Sequence, residues 1–360
     1  MKLARKMAIS LIVAAVLLAL VIYLVGARET ARAAWEVGLP AFFTVGVILF
    51  VLMGFQAAAW AALERRLGHR VAYRTLLSAT IVAMAGNILT PASHLGGEPG
   101  KIIYAGRKTG ISYTELSGTV LLCKYIEAMS FVLFFAFGTI AALVGLRAVL
   151  FCPPHIYLAV TIIALAVVAL ALGVVLWVSL SRRWVPLSAM VALLGRLRIR
   201  PPFRPGSGRP EPGRRPAFFR RLRGRALRME LGASRMFRAE GSAIVPAFFW
   251  YLLTHVAMFA RPMVFFFLGW HIQLNLGELG LIFLASQLLL AVQLVPSGIG
   301  TLDGGLLAVV ALAGMPITVP QCAAFLLCIR FWDAAVVITG AVLAAHAGVG
   351  LFRQGGVARA

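Results

Sequence analysis

Acidic residues are scarce in this chain: 12 Asp and Glu stand against 34 Lys and Arg in 360 residues, a net charge of +22. Charged residues of either sign make up only 13% of the whole. The four cysteines, Cys123, Cys152, Cys322 and Cys328, show neither metal-ligand spacing nor a disulfide framework, and they read as small apolar packers. His94, His255 and His271 are scattered, without the carboxylate–His spacing of a zinc site. There is no G-x-S-x-G elbow, no Walker A loop and no H-E-x-x-H helix. ATP hydrolysis, covalent catalysis and metal chemistry therefore have no support in the sequence, and no catalytic residue, metal or cofactor is expected. The basic excess comes without an RNA- or DNA-binding motif, so nucleic acid is not an expected partner.

What the chain has in abundance is oil. Hydrophobic residues make up 61% and the mean hydropathy is +0.93. They fall in runs long enough to cross a bilayer, which takes about 20 residues. The fold class is an all-α polytopic membrane protein. Residues 7–26 follow Lys2, Arg5 and Lys6 without a convincing cleavage signature and read as a retained span.

Charge decides the expected topology, because Lys and Arg concentrate on the cytoplasmic side. Span 7–26 runs outward, residues 27–38 form an outer loop with balanced charge, and span 39–63 returns to Arg65, Arg66, Arg70 and Arg74. If residues 75–91 crossed fully, Lys101, Arg107 and Lys108 would face outward. A re-entrant hairpin over 75–110, turning at the Pro/Gly-rich 90–97, removes that violation. It also keeps the linker 182–240, with 16 Arg against 3 Glu, in the cytoplasm. Non-helical backbone at membrane depth needs protein or a water-filled cavity to satisfy it. Spans 114–145 (long enough to tilt or kink), 156–180, 243–270 (interrupted at Arg261-Pro262) and 320–347 follow, with a second hairpin over 279–316. The expectation is six full spans plus two hairpins, with eight plain spans as the competitor. Within the linker, 201–216 is Pro/Gly/Arg-rich and lacks a structural pattern. Residues 217–238 read as an interfacial amphipathic helix or an extension of the next span.

The two hairpin regions are versions of one text. The first runs NILTPASHLGGEPG and then LLCKYIEA; the second runs QLVPSGIGTLDGG and then LLCIRFWDA. Each places a carboxylate, Glu98 or Asp303, just after a Pro/Gly break. Each then enters an apolar helix with a base and an acid three residues apart, Lys124/Glu127 and Arg330/Asp333. The carboxylate-to-carboxylate intervals are 29 and 30 residues. The copies would enter the membrane from opposite faces, giving an inverted repeat with broken helices, the arrangement in which secondary transporters bind substrate. The expected organisation is a membrane half 1–181 with the first repeat over 75–145, the linker 182–240, and a half 241–350 with the second repeat over 279–347.

Charges in apolar helix are costly and mark functional sites by default. The candidate substrate-binding residues are Asn87, Pro91, Gly96, Gly97, Glu98, Lys101, Lys124 and Glu127 in the first copy. In the second they are Gln293, Pro296, Gly298, Gly300, Asp303, Arg330 and Asp333. The glycines allow unusual backbone and close approach, and Asn87 and Gln293 can satisfy amides freed at the breaks. The basic residues could meet a lipid phosphate while the acids balance them or take a cationic headgroup. Glu98 and Asp303 could open and close by pairing with Lys101, Lys124 or Arg330. The competing reading is that the charges only hold helices together.

At N-x-x-x-P followed by G-G-E-P in residues 87–99, and at P-x-G-x-G-x-x-[DE]-G-G in residues 296–305 followed by Arg330, the chain resembles the lysylphosphatidylglycerol synthase transmembrane-region family. The resemblance covers nearly the whole chain. It implies a flippase-type fold of the bacterial inner membrane, moving a lipid headgroup between leaflets, with Asn87, Pro91, Gly97, Glu98, Pro296, Gly298, Gly300 and Arg330 as matched positions. It also implies anionic or zwitterionic membrane lipids as partners, and lipid-biosynthetic enzymes nearby. No long polar region follows Ala347, so lysyl-lipid synthesis is not expected, and Asp303 stands where relatives commonly carry Glu. The alternatives are a scaffold for hopanoid, glycolipid or envelope synthesis and a membrane-embedded lipid-modifying transferase.

Overall fold

The computed structural model describes residues 25–90, 96–147, 156–181, 241–291 and 298–348, with Tyr23 and a few positions between 224 and 237. Most of span 7–26, segment 201–216 and most of the proposed interfacial helix lie outside the described residues. The ordered elements are helices: α1 (Ala27–Glu36), α2 (Gly38–Arg66), α3 (Tyr73–Leu89), α4 (Glu98–Thr109), α5 (Tyr113–Gly145), α6 (Ile156–Ser181), α7 (Gly241–Trp270), α8 (Leu276–Ala291), α9 (Thr301–Leu312) and α10 (Val319–His346).

Length separates two kinds of helix. Among the described residues, α2, α5, α7 and α10 are apolar and long enough to cross a membrane, at 28 to 33 residues, and α6 is a further apolar helix of 26. At 1.5 Å per residue α5 rises about 50 Å, well beyond the roughly 30 Å hydrocarbon core. By contrast α3, α4, α8 and α9 have 17, 12, 16 and 12 residues, and the 12-residue arms rise only about 18 Å. These are the arms of the two broken hairpins. The α4 arm ends in a left-handed Gly110 cap, and two residues later Ser112 caps α5, its hydroxyl accepting from the Glu115 amide. The start of α5 lies beside the end of α2, where the Thr119 hydroxyl donates to Glu64 at 2.7 Å. The Arg107 guanidinium also donates to the Ala347 and Gly348 carbonyls at the end of α10. The ends of α2, α4 and α10 therefore share one end of the bundle. At the other end Gly145, closing α5, lies against Gly277 at the start of α8.

The packing is reciprocal between halves. The first hairpin arm, α3, packs chiefly on α10, and its counterpart α8 packs chiefly on α5. The matching spans α2 and α7 make the most extensive interface and run antiparallel, with Val37 beside Gly269 and Phe55 beside Trp250. Exchange of the two halves thus maps the main contacts onto themselves, as an inverted repeat requires. Two large apolar clusters fill the bundle, with a smaller one of Leu49, Met53, Ile81 and Val336. One is built around Phe134, Phe259, Phe265, Phe266 and Phe283, the other around Trp60, Leu76, Ile126 and Tyr251.

Two local expectations are corrected. Residues 27–36 are a helix, not a loop: Glu29 sits in its first turn, where the helix dipole favours an acid, and Arg32 pairs with Glu36 one turn on. Thr30 and Ala33 are buried, and α1 packs on α10. Arg261-Pro262 does not interrupt its span, since α7 continues from Gly241 to Trp270 with both Pro246 and Pro262 inside.

Candidate functional site

Each hairpin places one carboxylate against the cation of the span that follows it. In the first half Lys124 Nζ lies 2.8 Å from Glu98 Oε1 and 2.9 Å from Glu127 Oε2. In the second, Arg330 reaches Asp303 Oδ1 through Nη2 at 2.8 Å and Nε at 3.2 Å, and Asp333 through Nη1 at 3.3 Å. Both are carboxylate–cation–carboxylate triads with a formal net charge of −1. The i,i+3 pairs close on one helix face as spacing dictates. The third member arrives from the hairpin because the break sets Glu98 and Asp303 in the first turns of α4 and α9.

The breaks themselves are built differently. Gly97 has ordinary helical backbone, but a Cβ there would lie 1.8 Å from the Ala83 carbonyl oxygen, so only glycine lets α3 and α4 meet. Asn87 secures this approach by accepting the Gly97 amide on Oδ1 at 2.8 Å. In the second break the requirement is conformational: Gly298 and Gly300 have φ of 63° and 84°. The Gly300 amide donates to Asp303 Oδ2 at 2.9 Å, so one carboxylate caps α9 and grips Arg330. Gly96 lies half-buried in the turn just before α4. Pro91, Gln293 and Pro296 lie outside the described residues.

The first triad opens on a cavity of about 20 Å³, lined by Gln56, Thr80, Asn87, Glu98, Lys101, Lys124, Glu127 and Tyr251 among others. That is space for about one water. Glu98 is 8% exposed and its Oε2 has no hydrogen-bond partner. Lys101, 4% exposed, pairs with neither Glu98 nor Glu127; its ammonium sits 4.6 Å over the Trp60 ring. Trp60 is fixed in turn, its indole N–H donating to Glu64 at 2.8 Å and its neighbour Thr119 donating to the same oxygen. In the second half Arg261 projects from α7 over the Phe325 ring, 5.8 Å from its centroid, within electrostatic reach of Asp333 and Arg330. Tyr251 and Arg261 mark the levels of the two triads on α7, and their ten-residue separation is about 15 Å along the helix.

Sequence reasoning identified both triads and the amide role of Asn87. It missed Gln56, Thr80, Tyr251 and the site role of Arg261. Gln56 carried a signal, as a lone amide inside the apolar run of α2. His255 is a hydrogen-bonded packer, with Nδ1 2.8 Å from the Tyr251 carbonyl and its ring among Phe131 and Phe134. Cys123, Cys322 and Cys328 are buried free thiols; Cys152 lies outside the described residues.

Among known proteins, a UPF0104 membrane protein of Methanothermobacter thermautotrophicus is 28% identical over 141 residues, covering 39% of this chain and 41% of that protein. No solved structure matches. Residues 7–341 match the family described as lysylphosphatidylglycerol synthase TM region. With nearly every helix inside that match, including both hairpins and both triads, this chain is a member of the lysylphosphatidylglycerol synthase transmembrane-region family.

Proposed function

We propose that the protein is a lipid transporter, not an enzyme, and carries a phospholipid or related polar headgroup between leaflets past its two buried triads. The observation that carries this reading is the pair of triads set at different depths on two hairpins that enter from opposite ends. A headgroup crossing hydrocarbon needs polar groups to replace water, and intramembrane charges on broken helices supply them. Charge at the ends of the bundle supports an orientation in the cell's inner membrane. Arg65, Arg70, Arg74, Arg107 and Lys108 cluster at one end, which the positive-inside rule assigns to the cytoplasm. Membrane lipids are the partners in this reading.

Translocation of labelled lipids in reconstituted liposomes tests it. The wild type is expected to move at least one headgroup class faster than empty liposomes, and Glu98→Gln and Arg330→Gln to slow it. Equal rates for wild type and empty liposomes over a panel of anionic, zwitterionic and glycosylated lipids would sink the proposal.

A further inference from the structure

The triad cations are already engaged, whereas each site holds a second cation that is not. Lys124 is held by two carboxylates at 2.8 and 2.9 Å, and Arg330 by Asp303 and Asp333. An anion approaching either one meets a group whose formal charge sums to −1. Lys101 and Arg261 are in the opposite position. Among the described residues, the Lys101 ammonium makes no ion pair or hydrogen bond and sits over the face of Trp60. It lines the cavity beside Glu98 and is 4% exposed. Arg261 likewise makes no ion pair or hydrogen bond among the described residues. Its Nε is shielded from solvent without a partner, and its guanidinium lies over Phe325 near Asp333. A guanidinium is a poor choice for a merely structural gap and a good one for a planar two-point grip on a phosphate. The two residues are not counterparts in the repeat: Lys101 sits on a hairpin arm, Arg261 on a full span. Each nevertheless brings its site to a formal charge of zero.

We infer that Lys101 and Arg261, not the triad cations Lys124 and Arg330, are the anion-binding residues, each offering its unengaged donors to a phosphate group at its own depth. On this assignment the triads are fixed polar frames, and the phosphate passes from one spare cation to the other, over the roughly 15 Å between the levels of Tyr251 and Arg261. The inference deepens the translocation reading by naming which atoms meet the headgroup, and it rests on that reading for the idea of passage, though not for binding.

The test is therefore a binding measurement on the full chain in detergent. Thermal unfolding is followed during titration with dihexanoyl phosphatidylglycerol, inorganic phosphate, or a neutral glucoside lipid with the same short chains. Wild type is expected to be stabilised by the phospholipid and not by the glucoside. Lys101→Gln and Arg261→Gln should each weaken the phospholipid response about ten- to a hundredfold, the loss typical of one charge-assisted hydrogen-bonding group. Lys101→Arg and Arg261→Lys keep the charge and should keep part of the response, which separates lost binding from lost folding. Phospholipid binding unchanged in both Gln variants, with unliganded melting as in wild type, would overturn the assignment. Stabilisation by inorganic phosphate alone would keep the anion chemistry and overturn its lipid source. Intact phosphate binding in a protein that moves no lipid in liposomes would refute the translocation proposal and leave the anion sites standing.

Discussion

Asp303 and Glu98 occupy corresponding places, yet their neutralisation should have very different effects on stability. Asp303 is 1% exposed and fully engaged: Oδ1 takes two hydrogen bonds from Arg330, and Oδ2 takes the Gly300 amide. An Asn in its place can still accept the Gly300 amide, but it turns an amide nitrogen towards a guanidinium and takes from Arg330 its contacts at 2.8 and 3.2 Å. Breaking a buried ion pair from one side costs about 3–5 kcal/mol. Among the described residues Glu98 makes a single side-chain ion pair, to Lys124, and its other oxygen is buried without a hydrogen-bond partner. Glu98→Gln keeps an acceptor for Lys124 but loses the charge on that contact, it also removes an unsatisfied charged oxygen, and Lys124 retains Glu127 at 2.9 Å. The net cost should be about 1 kcal/mol, the worth of one ordinary hydrogen bond. Equilibrium unfolding in mixed micelles, with matched slopes for the three proteins, gives both numbers. Equal destabilisation by the two substitutions, or a larger loss for Glu98→Gln, would refute the reasoning that engagement rather than repeat position sets the energy.

Other outcomes follow from the same geometry. Gly97→Ala forces the Ala83 carbonyl aside and should cost at least the roughly 1–3 kcal/mol of ordinary overpacking, read by thermal melting, whereas Gly110→Ala meets open space and costs only its left-handed backbone. Asn87→Ala leaves the Gly97 amide without its acceptor and should cost about 1–3 kcal/mol; Asn87→Asp should restore most of it. Exchanging Lys124 and Glu127 places a carboxylate against Glu98, so it should destabilise the protein as well as stop transport; adding Glu98→Lys should recover stability and not transport. Trp60→Phe removes the indole N–H that Glu64 accepts while leaving a ring under Lys101. It should lower stability by about 1 kcal/mol with phospholipid binding retained.

The parts of this architecture that were legible in the sequence are those written in short range. A base and an acid three residues apart in apolar helix must share a face, and a carboxylate just past a Pro/Gly break must begin the next helix. Those two rules set out both triads, lacking only which cation Glu98 would choose. It chose Lys124, because Lys101, one turn further along α4, is drawn to the Trp60 ring of α2 instead. That choice depends on an interhelical contact with no periodic signature. The same limit hid Tyr251 and Arg261, which reach the two sites from α7, Tyr251 across the interface between halves and Arg261 within its own half. The helix at 27–36 was obscured for another reason: its balanced charges suggested an aqueous loop, while the burial of Thr30 and Ala33 against α10 is a tertiary fact. The glycines were identified as needed, but one break needs its glycine for space and the other for positive φ, a distinction only the backbone reveals.

Two hairpins entering from opposite faces are what place the triads at separate depths, and sidedness of labelling tests this most directly. In a cysteine-free background, single cysteines at the exposed positions Arg70, Lys108, Leu276 and Pro316 are treated with a membrane-impermeant maleimide from one side of sealed vesicles. Arg70→Cys and Lys108→Cys should label together from one side, and Leu276→Cys and Pro316→Cys together from the other. Labelling of Arg70→Cys and Lys108→Cys from opposite sides would mean a full crossing between them, and the account would be wrong at its base.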